Sequence, residues 1–186
     1  MHNTPSPVAP EAAAGGRIYQ APNPDTIEAS AAFIELRFDS DVFASFRLLW
    51  DEAPHTCAAV TAALPQDSAW ETPCFHAIYS GTVAAFLIDP AVTAPTENAT
   101  TCVIPGDLLF THYAAGFRHG HPNPLSEIYW PYDRYARFTI PGLFTPLTEA
   151  SVFATFDGDS ASWEAFAARS QRLRFDGASP LTVSTL

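Results

Sequence analysis

The stretch Phe46-Arg47-Leu48-Leu49-Trp50-Asp51-Glu52-Ala53-Pro54-His55-Thr56-Cys57 changes its hydrophobic period halfway along, and that change decides the fold. Up to Trp50 the apolar residues alternate. Val42, Ala44, Phe46, Leu48 and Trp50 fall on one face, and Ser45 and Arg47 on the other. This is the period of a strand with one buried face. Beyond Pro54 the spacing becomes helical: Cys57, Val60 and Leu64 recur on one side until Pro65 stops the pattern. Pro54 suits the first helical position, and Asp51 and Glu52 precede the positive end of the helix dipole.

Working outward, Ile34, Leu36 and Phe38 alternate with Glu35 and Arg37, and Asp39-Ser40-Asp41 turns that strand into the next. Phe75 to Tyr79 and Thr82 to Ile88 read as strands joined by a two-residue Ser80-Gly81 turn. Asp107 to Tyr113, Glu127 to Asp133, Ala136 to Ile140 and Val152 to Phe156 are further strand candidates, separated by turn-forming residues. A second helix follows, capped by Asp159 or Ser160. Trp163, Phe166, Ala167 and Ser170 share one of its faces, and Asp176-Gly177 ends it. Pro180 to Leu186 reads as a closing strand. Many short strands with only two short helices predict a mainly β fold, a closed barrel with helical plugs, and not alternating βαβ units.

Residues 1–30, rich in Pro, Ala and Ser, read as an N-terminal extension, and 31–186 as one domain. The chain has 186 residues, 47% of them hydrophobic, which suffices for one sizeable core. Its aromatic content (14 Phe, 6 Tyr, 4 Trp) exceeds what one small core readily hides, so a homo-oligomer is expected. The net charge is -11, and all 9 basic residues are arginines. An acidic surface without clustered cations repels phosphate backbones and anionic bilayers, so neither nucleic acid nor membrane is an expected partner. Cys57, Cys74 and Cys102 form no metal or disulfide pattern. With no leader-like segment or apolar span visible, the expected location is the cytoplasm.

The quoted strand-helix junction resembles the first such unit of cyclophilins, and Phe75-His76 resembles the start of their Phe-His-Arg segment. The chain is more similar still to an uncharacterised family of bacterial cyclophilin-like proteins. The similarity lies in His76-Ala77-Ile78-Tyr79-Ser80-Gly81, Glu97-Asn98-Ala99-Thr100, Pro105-Gly106-Asp107-Leu108-Leu109 and Glu127-Ile128-Tyr129-Trp130. The resemblance implies a cyclophilin-like β-barrel over about residues 33–186 and no particular reaction. Related barrels also occur in subunits of enzymes acting on urea-like and lactam amides, an analogy of fold. Cyclophilins carry an arginine after the Phe-His pair, where this chain has Ala77, so prolyl isomerase activity is not expected.

The chemistry-bearing residues point to a binding cleft and name no reaction. No nucleophile elbow, phosphate loop or dinucleotide fingerprint appears, and no cofactor is expected. The candidate ligand contacts are His76, Tyr79, His112, Tyr113, Glu127, Tyr129 and Arg134, a mixture of aromatic and hydrogen-bonding groups that suits a small organic or peptide ligand. For His76 the competing role is a ring satisfied by backbone partners in a half-buried strand. Along Glu127 to Asp133, Ile128, Trp130 and Tyr132 would fill the core from one face while Glu127 and Tyr129 occupy the other. His119 and His121, with His112 and Glu127, match no metal-ligand spacing, and no metal site is expected. Cys74 beside His76 reads as a structural cysteine.

Overall fold

The computed structural model describes residues 26–65, 68–77, 81–116, 122–136 and 149–186. The element order is β1 (Phe33–Asp39), β2 (Val42–Leu48), α1 (Pro54–Ala63), β3 (Trp70–His76), β4 (Val83–Ile88), β5 (Ala99–Thr100), β6 (Asp107–Tyr113), β7 (Leu125–Pro131), β8 (Ala150–Phe156), α2 (Ser160–Asp176) and β9 (Ser179–Thr185). Antiparallel pairing runs β2-β1-β9-β3-β4-β7-β6-β8, and β8 pairs back onto β2 to close an eight-stranded barrel. The short β5 lies on β8 beyond the point where β2 leaves it, with Ala99 opposite Ser151. Among the described residues no helix is long and apolar enough to cross a membrane.

The barrel is mainly β, as the alternating strands predict. The second helix, α2, spans 17 residues between the ends that the sequence marks. Asp159 caps it by accepting the Ser162 N–H at 2.7 Å. Phe166, Ser170 and Leu173 form its buried stripe. The expected Ser80-Gly81 turn falls partly outside the described residues, and the β3–β4 register differs from the one that turn alone would set. A two-residue Ser80-Gly81 turn would place Phe75 opposite Phe86, whereas Phe75 pairs with Ala85 and His76 with Ala84. A slip of one residue reverses every side chain, and the observed register is the one that sends Phe86 and Ile88 inward. Gly81 has φ 78°, and a Cβ there would run into the Tyr135 carbonyl oxygen. Residues 78–80 and 137–140, including the rest of the expected strand from Ala136, lie outside the described residues.

Trp70 to Cys74 pairs with β9, a strand that the polar Glu71 and Pro73 conceal in the sequence. Pro73 sits opposite Pro180, so neither needs an N–H for the ladder at that point.

The two halves of the barrel differ. In β1, β2 and β9 buried and less buried residues alternate, whereas β4, β6, β7 and β8 are buried on both faces over most of their length. The inner face packs the main core around Phe46, Phe86, Trp130 and Phe153 and continues to Phe166 of α2. On the outer face of the other half lies a second cluster: Ala77, Val83, Ala85, Leu109, Tyr129, Ala150 and Val152. Leu49, Phe75, Val103 and Ala136 pack against it.

The junction into α1 has a long-range cap. Ala53 at the N-cap offers no side-chain acceptor, and no acidic residue stands in the first turn. Glu97, 41 residues from Thr56, supplies the carboxylate. It accepts the Thr56 N–H at 2.9 Å, the Thr56 hydroxyl at 3.0 Å, the His55 N–H at 3.3 Å and the His55 Nδ1–H at 2.5 Å. Burial pushes the Glu97 carboxyl up, but these hydrogen bonds outweigh it and hold it below its ordinary value of 4.5. The depressed pKa makes the capping stability fully present above the unfolded-state value and lost as pH falls through the folded one. Glu97→Ala is therefore expected to cost about 2–3 kcal/mol at neutral pH, as a charged cap with several donors. In denaturant titrations the wild type should lose stability below about pH 4.5, and Glu97→Ala should show a flatter acid limb. Equal acid limbs would contradict the cap.

Candidate functional site

Among the described residues, strand β6 outruns its neighbour β8. Phe110 pairs with Ser151, and β8 begins at Ala150, so Thr111, His112 and Tyr113 continue past the last β8 pair while still paired with β7. Beside this overhang is a cleft of about 240 Å³ lined by Thr111, His112 and Tyr113, by Glu149 and Ser151, by Phe110 and by the segment 94–96. That segment is pinned at both sides by serines. Ser126 Oγ accepts the Val92 N–H at 2.9 Å and donates to the Val92 carbonyl at 2.6 Å, and Ser151 Oγ accepts the Glu97 N–H at 3.0 Å. The cap of α1 and the wall of the cleft thus belong to one connected segment.

Behind the cleft, on the outer face, Glu127 stands directly opposite Thr111. Tyr129 Oη and Thr111 Oγ1 are 2.7 Å apart and buried. Glu127 is 4% exposed and Tyr129 3%. A buried carboxyl group and a buried tyrosine hydroxyl thus both adjoin a cleft residue, where buried polar groups require hydrogen-bond partners.

Of the seven expected contact residues, this region brings together four. His112 and Tyr113 line the cleft, and Glu127 and Tyr129 stand behind Thr111. Ile128 and Trp130 do fill the core from the opposite face of β7. His76 is elsewhere. It shares the inward parity of Ala84, its Nε2 lies 2.9 Å from the Gly81 carbonyl oxygen, and its ring centroid is 6.1 Å from that of Tyr132. Burial and the nearby Arg174 push its pKa down, against the opposing pull of the Gly81 hydrogen bond. Arg134 is exposed beyond β7, with its backbone N–H on the Asp133 carboxylate. Tyr79, His119 and His121 lie outside the described residues.

Other groups carry no signal in the sequence. Glu149, Ser126 and Ser151 are ordinary residue types in ordinary contexts and become cleft-forming only through the β6–β7–β8 pairing. Glu97 is an exception, since it stands in one of the quoted motifs, but its partner at Thr56 is visible only in three dimensions. Cys57 and Cys74 are buried, and burial pushes each thiol up to about 12, so both are inert packing residues at neutral pH. Among the described residues no cluster of three metal-ligating side chains occurs.

Comparison with solved structures gives a fold likeness to McbB, whose structure was determined in complex with tryptophan: TM-score 0.54 at 15% identity, covering 82% of this chain and 44% of that one. The chain thus spans less than half the length of that protein. The hypothetical protein AF2241 from Archaeoglobus fulgidus aligns with TM-score 0.48 at 14% identity, covering 86% of this chain and 98% of that one. No curated protein matches the chain. A family model described as a protein of unknown function, DUF3830, matches residues 34–185, which runs from β1 to the end of β9, and the chain belongs to that family.

Proposed function

We propose that this protein is a binding module that takes a small organic or peptide ligand in the cleft beside the β6 overhang. One observation carries the reading: Thr111, His112, Tyr113, Glu149 and Ser151 converge on a single cleft of about 240 Å³, backed by the buried Tyr129–Thr111 pair. Small-molecule sites are concave and use a few placed polar groups to orient the ligand, and this cleft is richer in such groups than most. The volume falls below the roughly 300 Å³ at which drug-sized sites begin, which favours a fragment-sized ligand or a single side chain of a peptide.

A thermal-shift screen of the full chain tests this with small amides, amines, carboxylic acids, dipeptides and tryptophan, the last because McbB was captured with it. A ligand at about a hundred times its Kd should raise the melting temperature by roughly 5–10 °C through mass action. The shift should vanish in His112→Ala, whose side chain lines the cleft without belonging to the core clusters. A panel that moves neither protein, or both equally, would remove the cleft as the binding site.

A further inference from the structure

We infer that His112 is held in the Nδ1–H tautomer and offers its Nε2 lone pair to the cleft, so that the ligand is one presenting an N–H donor, an organic amine with Glu149 as its counter-charge. This deepens the cleft reading and rests on it.

The argument begins at Ser126, which is fully buried. A serine hydroxyl has one proton to donate and two lone pairs that accept. Its proton is committed, because Ser126 Oγ lies 2.6 Å from the Val92 carbonyl oxygen, and two oxygens at that distance need a proton between them. One lone pair receives the Val92 N–H at 2.9 Å. The remaining contact is His112 Nδ1 at 3.2 Å. With no second proton on the hydroxyl, this contact is a hydrogen bond only if Nδ1 carries the hydrogen and donates it. In the neutral imidazole the other nitrogen, Nε2, is then the acceptor. Among the described residues Nε2 has no hydrogen-bond partner, and His112 lines the cleft. Ser126 therefore acts as a positioning residue, fixing the ring through the other nitrogen in the way that hydrogen bonds usually set histidine tautomers.

The remaining lining agrees with an N–H donor. Glu149 is the one acidic side chain among the described lining residues, and it is exposed. Ser151 and Thr111 offer hydroxyl oxygens, and Phe110 and Tyr113 offer ring surface for the apolar body of the ligand. The chain's net charge of -11 concentrates organic cations near the surface and repels carboxylates.

The test uses the full chain labelled with ¹⁵N-histidine, and benzylamine, benzamide and benzoate as matched probes. Long-range ¹H–¹⁵N spectra at neutral pH should show His112 with a protonated Nδ1 and a pyridine-type Nε2, whereas an Nε2–H tautomer would overturn the inference whatever binds. Titration should give benzylamine and benzamide perturbing the Nε2 resonance, and benzoate binding at least tenfold more weakly than benzylamine. Glu149→Gln, an exposed change that should leave the fold intact, is expected to weaken benzylamine about threefold and leave benzamide unchanged. Ser126→Ala, if it folds, should shift His112 toward the Nε2–H tautomer. Benzoate binding as well as benzylamine in the cleft would overturn the ligand class while leaving the binding-module reading intact. If no probe and no member of the wider panel bound, both would fall.

Discussion

Replacing Trp130 by alanine is expected to destabilise the protein by about 3–5 kcal/mol, read as a shift in the denaturant midpoint without a change in slope. Trp130 is 0% exposed and sits where the barrel interior meets α2. Its ring centroid lies 5.4 Å from that of Phe166, 6.3 Å from Phe38 and 6.5 Å from Phe86, so truncation opens a cavity bordered by three other rings. A second loss adds to the first. Trp130 Nε1–H donates to Ser170 Oγ at 3.0 Å, and that hydroxyl donates in turn to the Phe166 carbonyl at 2.9 Å. Without the indole, a buried hydroxyl loses one of its partners. Trp130→Phe separates the two contributions. It keeps much of the ring volume and should cost about 1–2 kcal/mol through the missing hydrogen bond and the smaller ring. A Trp130→Ala cost below about 1 kcal/mol would show that α2 does not close the barrel over this residue.

The second large effect is an expected lack of activity. In a protease-coupled assay on an Ala-Pro peptide, the catalytic efficiency should fall at least 10²–10³-fold below that of a cyclophilin, the usual cost of losing one positioned charged donor. Rotation about the X-Pro bond faces a barrier of about 18–20 kcal/mol, and the resemblance to cyclophilins implies that a guanidinium bonded to the proline amide would be needed to lower it. By the sequence resemblance alone, Ala77 would take the place of that arginine after Phe75-His76. Its N–H is bonded to the Val83 carbonyl at 2.9 Å, and its methyl belongs to the outer-face cluster with Val83, Ala85 and Tyr129. Neither Arg47 nor Arg134 replaces the missing donor. Arg47 is on β2, 3.8 Å from the Asp157 carboxylate, and Arg134 is exposed after β7. Efficiency within tenfold of a true cyclophilin would mean that a donor reaches the site from a different part of the chain.

The element types were legible because each carries its own period. Val42 to Leu48 alternates, Cys57, Val60 and Leu64 recur every three or four residues, and both patterns match the buried residues of β2 and α1. Asp159 and Gly177 mark the ends of α2 through local chemistry, a cap and a positive φ, that needs no distant partner. Trp130 as core and Glu127 with Tyr129 on the opposite face also follow from the two-residue period alone. Trp70 to Cys74 escaped because Glu71 and Pro73 break the pattern, and only the facing Pro180 shows why they are tolerated.

What the sequence by itself determined is therefore the barrel class, the two helices and the inward face of each strongly patterned strand. The tertiary structure alone decided the one-residue register that turns His76 inward, away from Glu127 and Tyr129. It also decided the overhang of β6 past β8 that opens the cleft, the cap that Glu97 places on α1, and the Ser126 hydroxyl that orients His112. The physical reason is the range of the interactions. Periodicity and capping act over a few residues and leave a trace in composition, whereas strand register and hydrogen bonds such as Glu97 to Thr56, 41 residues apart, depend on which segments meet after the barrel closes.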